Sequence, residues 1–209
     1  MQIKNLKKRH SFFIFIIYTR YLIGSAYIFA SIIKIKGKRF TTVSGENEPF
    51  NTAFHFFETL YQSGIYWKFI GVAQLLAGVL LVTQRYAKLG ALICLPISLN
   101  IFMITISYNF GYTHVITGLY LIANIALIAW DWPQLKVILN YEPIPLNTKT
   151  LSDLKIFQVT GLILALYTII YRVMVDRYNI LQWMIICTTI GLSGFLYYLK
   201  SKKNSQKKS

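Results

Sequence analysis

Apolar residues recur along this chain in six stretches of about 20, the length that crosses roughly 30 Å of hydrocarbon at 1.5 Å per residue. They lie near residues 12–33, 66–84, 87–107, 113–131, 155–172 and 180–199, and each is predicted to form a membrane-spanning helix. The fifth is the shortest and is bounded by Asp153, Lys155 and Arg172. The fourth is polar at regular intervals. In HVITGLYLIANIALIAWDW, residues 114–132, the positions His114, Thr117, Asn124 and Asp131 are three, seven and seven residues apart. Those steps are close to whole helical turns, so one face of this helix is polar along its length.

Other stretches have matching faces. The first has Arg20, Gly24, Tyr27, Ser31 and Lys34, at steps of four, three, four and three. The second has Gln74 between Gly71 and Gly78, an arrangement that lets a neighbouring backbone approach a polar group closely. The third has Pro96 and Asn100; the proline cannot donate to the Leu92 carbonyl, and such freed groups often line cavities. In lipid, polar faces must turn towards each other. The first four helices are therefore expected to enclose a polar interior.

Counting about 1.5 Å per residue from the inner ends sorts these residues by depth. Arg20, Gln74 and Asn124 fall about 10–15 Å deep, whereas Tyr27, Asn100, Thr117 and His114 fall at about 20–25 Å, with Lys34 near the outer rim. The expectation is a ligand pocket entered from outside and built from Arg20, Tyr27, Gln74, Asn100, His114, Thr117 and Asn124. The plainer reading makes the amides interhelical hydrogen-bond glue, His114 an interfacial residue, and Asp131 and Trp132 markers of the inner boundary. Arg20 is a fixed charge at an expensive depth. It is expected to hydrogen-bond to Gln74, Asn124 or freed carbonyls, with Asp131 as its nearest possible counter-charge, in reach only if the side chain bends towards the inner surface.

The connection at 37–65 has its own pattern. In PFNTAFHFFETLYQSG the residues Phe50, Phe54, Phe57 and Tyr61 repeat at four, three and four, opposite Asn51, His55, Glu58 and Gln62. This predicts an amphipathic helix near 50–62, with an interfacial anchor favoured over a lid. The segment 136–154, containing NYEPIPLNTKT, reads as a linker before a C-terminal hairpin and basic tail at 155–209.

Composition agrees with a membrane protein. Hydrophobic residues make up 55% and charged residues 14%, against about a quarter charged in soluble domains. The net charge of +15 is laid out by topology. Lys4, Lys7, Lys8, Arg9, Arg85, Lys88, Lys136, Lys149, Lys155 and five terminal lysines share one side of a six-helix arrangement. The other side mixes Lys36, Lys38, Arg39, Lys68, Arg172 and Arg177 with Glu46, Glu48, Glu58 and Asp176. The positive-inside rule then puts both termini in the cytoplasm. No basic stretch is interleaved with aromatics as in a nucleic-acid groove, so nucleic acid is not expected as a partner. The N-terminal run resembles a signal peptide, but Arg20 and its length make it an uncleaved first helix. Cys94 and Cys187 fall in different leaflets, which argues against a disulfide, and no metal site is expected because no His, Cys or carboxylate set has ligand spacing.

The block FIGVAQLLAGVLLVTQRYAKLGAL, the continuation PISLNIFMITIS, the segment TGLYLIANIALIAWDW, and Arg20 with Lys34 in helix one resemble the DoxX-like membrane proteins over about residues 12–135. The resemblance implies an all-α, antiparallel four-helix bundle in residues 1–135. It also implies links to quinone-dependent sulfur oxidation, oxidative-stress complexes or receptor assembly. Many relatives have a glutamate where Gln74 stands, so this chain is expected to lack a buried carboxylate for Arg20. The hairpin after residue 155 departs from the basic family pattern.

Three functions stay open. One is a non-catalytic module of a bacterial plasma membrane, holding a quinone or lipid and working with a membrane or soluble redox partner. The others are a quinone-linked oxidoreductase subunit and a scaffold or assembly factor without ligand. The polar layers and the resemblance favour the first, with quinone as the cofactor to consider.

Overall fold

A computed structural model describes residues 10–41, 43–142 and 151–206. The N-terminal basic cluster and residues 143–150, the part of the linker with its two prolines, lie outside the described residues. The described chain is all-helical: α1 (His10–Ile35), α2 (Ala53–Gln62), α3 (Ile65–Val82), α4 (Ala87–Ser107), α5 (Thr113–Leu135), α6 (Lys155–Met174) and α7 (Ile180–Gln206). All except α2 are long and apolar enough to cross a membrane. The protein is a polytopic all-α membrane protein.

Burial explains why the sequence took this form. Phe69, Leu76, Leu119, Ile122, Leu166, Leu181 and Leu192 are exposed, while Arg20, Ser31, Gln74, Asn124 and Thr168 are buried. That distribution suits a hydrocarbon solvent, in which the polar groups need one another.

Helices α1, α3, α4 and α5 form a bundle in which sequence neighbours pack antiparallel, and α1 packs most extensively on α3. Gly24 and Gly78 make that contact possible. A Cβ on Gly24 would sit 2.8 Å from the Gly78 carbonyl oxygen, and one on Gly78 would sit 2.6 Å from the Gly24 carbonyl oxygen. The two backbones touch because neither residue has a side chain. One core, containing Ile23, Ala77, Leu81, Cys94 and Leu127, fills the bundle on the α4–α5 side.

A second core lies on the opposite side of α1 and α3. Phe157, Leu164, Ala165 and Tyr198 of α6 and α7 pack there on Ile17, Tyr21, Ile28 and Val82. Gly161 brings α6 against the Val82 carbonyl. Tyr21 donates to the Phe157 carbonyl, and Tyr18 donates to the Gly191 carbonyl at 2.6 Å. The C-terminal hairpin is therefore seated on the bundle along α1.

The bundle has two ends. The terminal end carries the start of α1, the α3–α4 turn and the end of α5. The loop end carries residues 36–64, the α4–α5 turn and the α6–α7 turn. Helix α2 lies at the loop end, with Thr52 Oγ1 accepting from the His55 amide as its N-terminal cap. It starts after the expected boundary, which leaves Phe50 outside the helix and 84% exposed. The expected apolar face is also corrected. Glu58, placed on the polar side by periodicity, is buried, because an arginine from the preceding loop reaches over it.

Candidate functional site

At the loop end the four bundle helices splay around a cavity of about 640 Å³. Its walls include Tyr27 and Ala30 of α1, Trp67, Ile70, Ala73 and Gln74 of α3, Ile97, Asn100 and Ile104 of α4, and Thr117 and Tyr120 of α5. Phe56, Phe57 and Leu60 of α2 complete it with Phe40 and Phe110. Helix α2 thus lies over the cavity as a lid, held by a Phe57–Phe110 ring contact at 5.7 Å and a Phe56–Tyr108 stack at 4.9 Å.

Pro96 borders this space. It sits inside α4 and lines the cavity with Asn100 one turn further on. The polar groups around the wall differ in how they are satisfied. Thr105 and Thr117 share a hydroxyl contact of 2.8 Å in which either is the donor, and the one that accepts there is free to donate within its own helix, to the carbonyl of Phe102 or of His114. Gln74 is buried, and its Oε1 accepts from no donor among the described residues. Lys34 lies at the loop-end wall, with its Nζ donating to the Ala30 carbonyl at 2.8 Å.

Four of the expected site residues, Tyr27, Gln74, Asn100 and Thr117, meet on this cavity. The other three do not line it. Asn124 is buried between helices and donates to the Ala91 carbonyl at 3.2 Å, the interhelical role that amides commonly take. His114 stands at the start of α5, half-buried, away from the cavity wall.

Arg20 corrects the expectation most sharply. It bonds neither Gln74 nor Asn124. Its Nη2 meets Asp131 Oδ2 at 2.7 Å, and its Nη1 donates to Gln84 Oε1 at 3.2 Å. Both Arg20 and Asp131 are buried. In a low dielectric an opposite charge outweighs neutral amides, so the side chain bends about a turn towards the terminal end to reach it. The buried carboxylate expected to be missing is therefore present, on α5 instead of at position 74. Asp131 is an internal counter-charge, not an exposed boundary marker. Gln84 was not foreseen; it occupies the α3–α4 turn with φ of +60°, a left-handed backbone for a non-glycine residue.

The loop end is tied down by ion pairs. Arg39 grips Glu58 with Nε at 2.8 and 2.9 Å and Nη2 at 2.8 Å, and the Gly45 amide donates to the same carboxylate at 3.2 Å. The Arg39 hydrogen bonds hold the Glu58 carboxyl below its ordinary range. Lys36 and Lys38 both reach Asp176 at 2.7 Å. Their hydrogen bonds hold Asp176 down to about 2. Trp67 Nε1 donates to the Lys38 carbonyl at 3.0 Å, which joins the loop to α3.

No family model matches the chain, and no solved structure matches it. It is similar to the uncharacterized protein YwoB of Bacillus subtilis (strain 168), at 37% identity over 82 residues, which is 39% of this chain and 53% of that protein. The chain thus spans about half the length of this curated relative. The DoxX-like resemblance rests on the sequence blocks alone.

Proposed function

We propose that the protein is an integral membrane module that holds a small hydrophobic ligand, a quinone or a lipid, in the loop-end cavity and works with a partner protein. The observation that carries this reading is the cavity itself. At about 640 Å³ it falls in the range of about 300–1,000 Å³ usual for small-molecule sites, and it has their usual make-up, apolar walls with a few converging polar groups. A scaffold with merely structural polar faces would gain dispersion energy by filling such a space with side chains. Redox chemistry, in this reading, resides in a bound quinone or in the partner. The lysine and arginine asymmetry supports both termini in the cytoplasm and a cavity that faces outward across a bacterial plasma membrane.

Native mass spectrometry of protein extracted in mild detergent tests the reading. The expected result is a copurifying hydrophobic mass that is lost in Ala73→Trp, a substitution that fills the cavity from α3. Protein that carries no such mass and takes up neither a quinone nor a lipid when offered would leave the scaffold reading in place.

A further inference from the structure

The cavity wall is electrically uneven at the loop end. Lys34 is buried, with 7% of its surface exposed. Its Nζ lies 4.7 Å from the ring centroid of Phe40 and 5.2 Å from that of Trp67, positions that favour an ammonium. An ammonium has three donors, and the Ala30 carbonyl takes one of them. None of the ion pairs among the described residues includes Lys34.

Arg172 on α6 stands close enough to repel it. That guanidinium is also buried, stacked at 4.5 Å on Phe29 and 4.4 Å on Tyr178, with Nε donating to the Phe29 carbonyl at 3.3 Å and Nη1 meeting no acceptor among the described residues. It borders a smaller cavity of about 160 Å³, which shares Ala30 and Phe40 as walls with the large one. Glu58 is engaged by Arg39, and Asp176, which lines the smaller cavity with Arg172 and attracts it, also takes Lys36 and Lys38. Lys34 is therefore a buried amine with no paired carboxylate among the described residues, and its charged form costs free energy unless an anion offsets it.

Resting on the reading that the cavity holds a hydrophobic ligand, we infer that this ligand is an anionic amphiphile whose carboxylate or phosphate head meets Lys34 Nζ beneath the α2 lid. Its apolar chain occupies the cavity between α3 and α4. The head completes the donors that the Ala30 carbonyl leaves unused, and its charge offsets that of Lys34.

The test uses the full chain, purified and stripped of lipid, titrated separately with oleate, oleyl phosphate, oleyl alcohol and oleylamine, with binding read by native mass spectrometry. Oleate or oleyl phosphate is expected to bind about tenfold or more tightly than oleyl alcohol, the factor of one charge-assisted hydrogen bond. Oleylamine is expected to bind weakest. The stronger of the two anions assigns the head as carboxylate or phosphate, and equal binding assigns a site common to both. Lys34→Arg should keep the preference and Lys34→Met or Lys34→Gln should abolish it. If oleyl alcohol matches both anions on the unaltered protein, the anionic head is wrong while the hydrophobic cavity stands, and this comparison holds even if the variants fail to fold. An anion preference that persists in Lys34→Met or Lys34→Gln overturns the assignment to Lys34. Failure of all four chains to bind overturns the cavity reading as well.

Discussion

Arg20 shows how one residue couples three helices. Its guanidinium bridges α1 to Asp131 on α5 and to Gln84 in the turn after α3. Removing one partner of a buried pair strands the other charge, at a cost of about 3–5 kcal/mol, whereas removing both can be nearly neutral. Arg20→Leu and Asp131→Leu are each expected to lower the thermal unfolding midpoint in detergent strongly, and the double variant to recover most of the loss. A double variant whose loss equals the sum of the two singles would show that the pair is not coupled. Arg20→Lys should recover little, because a single ammonium does not reproduce the planar fork that meets two acceptors.

At the scale of elements, the α1–α3 contact and the loop-end lid have different sources of order. The first is packing. Gly78→Leu would drive a side chain into the Gly24 carbonyl and Ile28, so it should destabilise by about 1–3 kcal/mol or more, with the midpoint read in the same detergent assay. Gly111 has open space around it, and at φ of +48° a replacement there meets backbone strain alone; Gly111→Ala should cost less than Gly78→Leu. The loop end adds charge to the ring contacts that hold the lid. Asp176 has its folded-state value at about 2 against an ordinary 3.8, and Glu58 is also lowered, from 4.5. Depressed carboxylates stabilise fully above their unfolded values and lose that contribution as pH falls through the folded ones. The loop end is thus expected to be tight above about pH 5 and to loosen progressively below about pH 4. Limited proteolysis of residues 37–52 by an acid-active protease across pH 2–6, compared with Asp176→Asn, checks this. Susceptibility that is flat across that range would remove the ion pairs as the clamp.

For the whole molecule, the arrangement is a bundle with a hairpin docked along its first helix, so that α1 and α3 are enclosed from both sides. The expected orientation follows from charge. In a variant lacking Cys94 and Cys187, single cysteines at Ser44 and Ser205 are expected to react with a membrane-impermeant maleimide from opposite faces of the membrane. Labelling of both from one face would overturn the even number of crossings or the positive-inside assignment.

The helices themselves were legible because hydrocarbon solvent imposes a length and a composition on any span, and the six apolar stretches agree closely with α1 and α3–α7. The polar residues Tyr27, Gln74, Asn100 and Thr117 could be found the same way, since steps of three, four and seven place them on single faces. Which neighbour each face meets was decided only in three dimensions. Arg20 selected Asp131 because side-chain reach and opposite charge outweigh equal depth, and depth was all that counting along the chain could supply. Glu58 is buried because Arg39, from a loop without periodicity, closes over it. Arg172, read as a boundary charge, became an interior cation because the docked α6 turns it towards α1, where the Phe29 carbonyl and ring receive it. Sequence period assigns a residue to a face of its own helix, whereas rotation of that helix against its neighbours assigns the face to a core, a cavity or lipid.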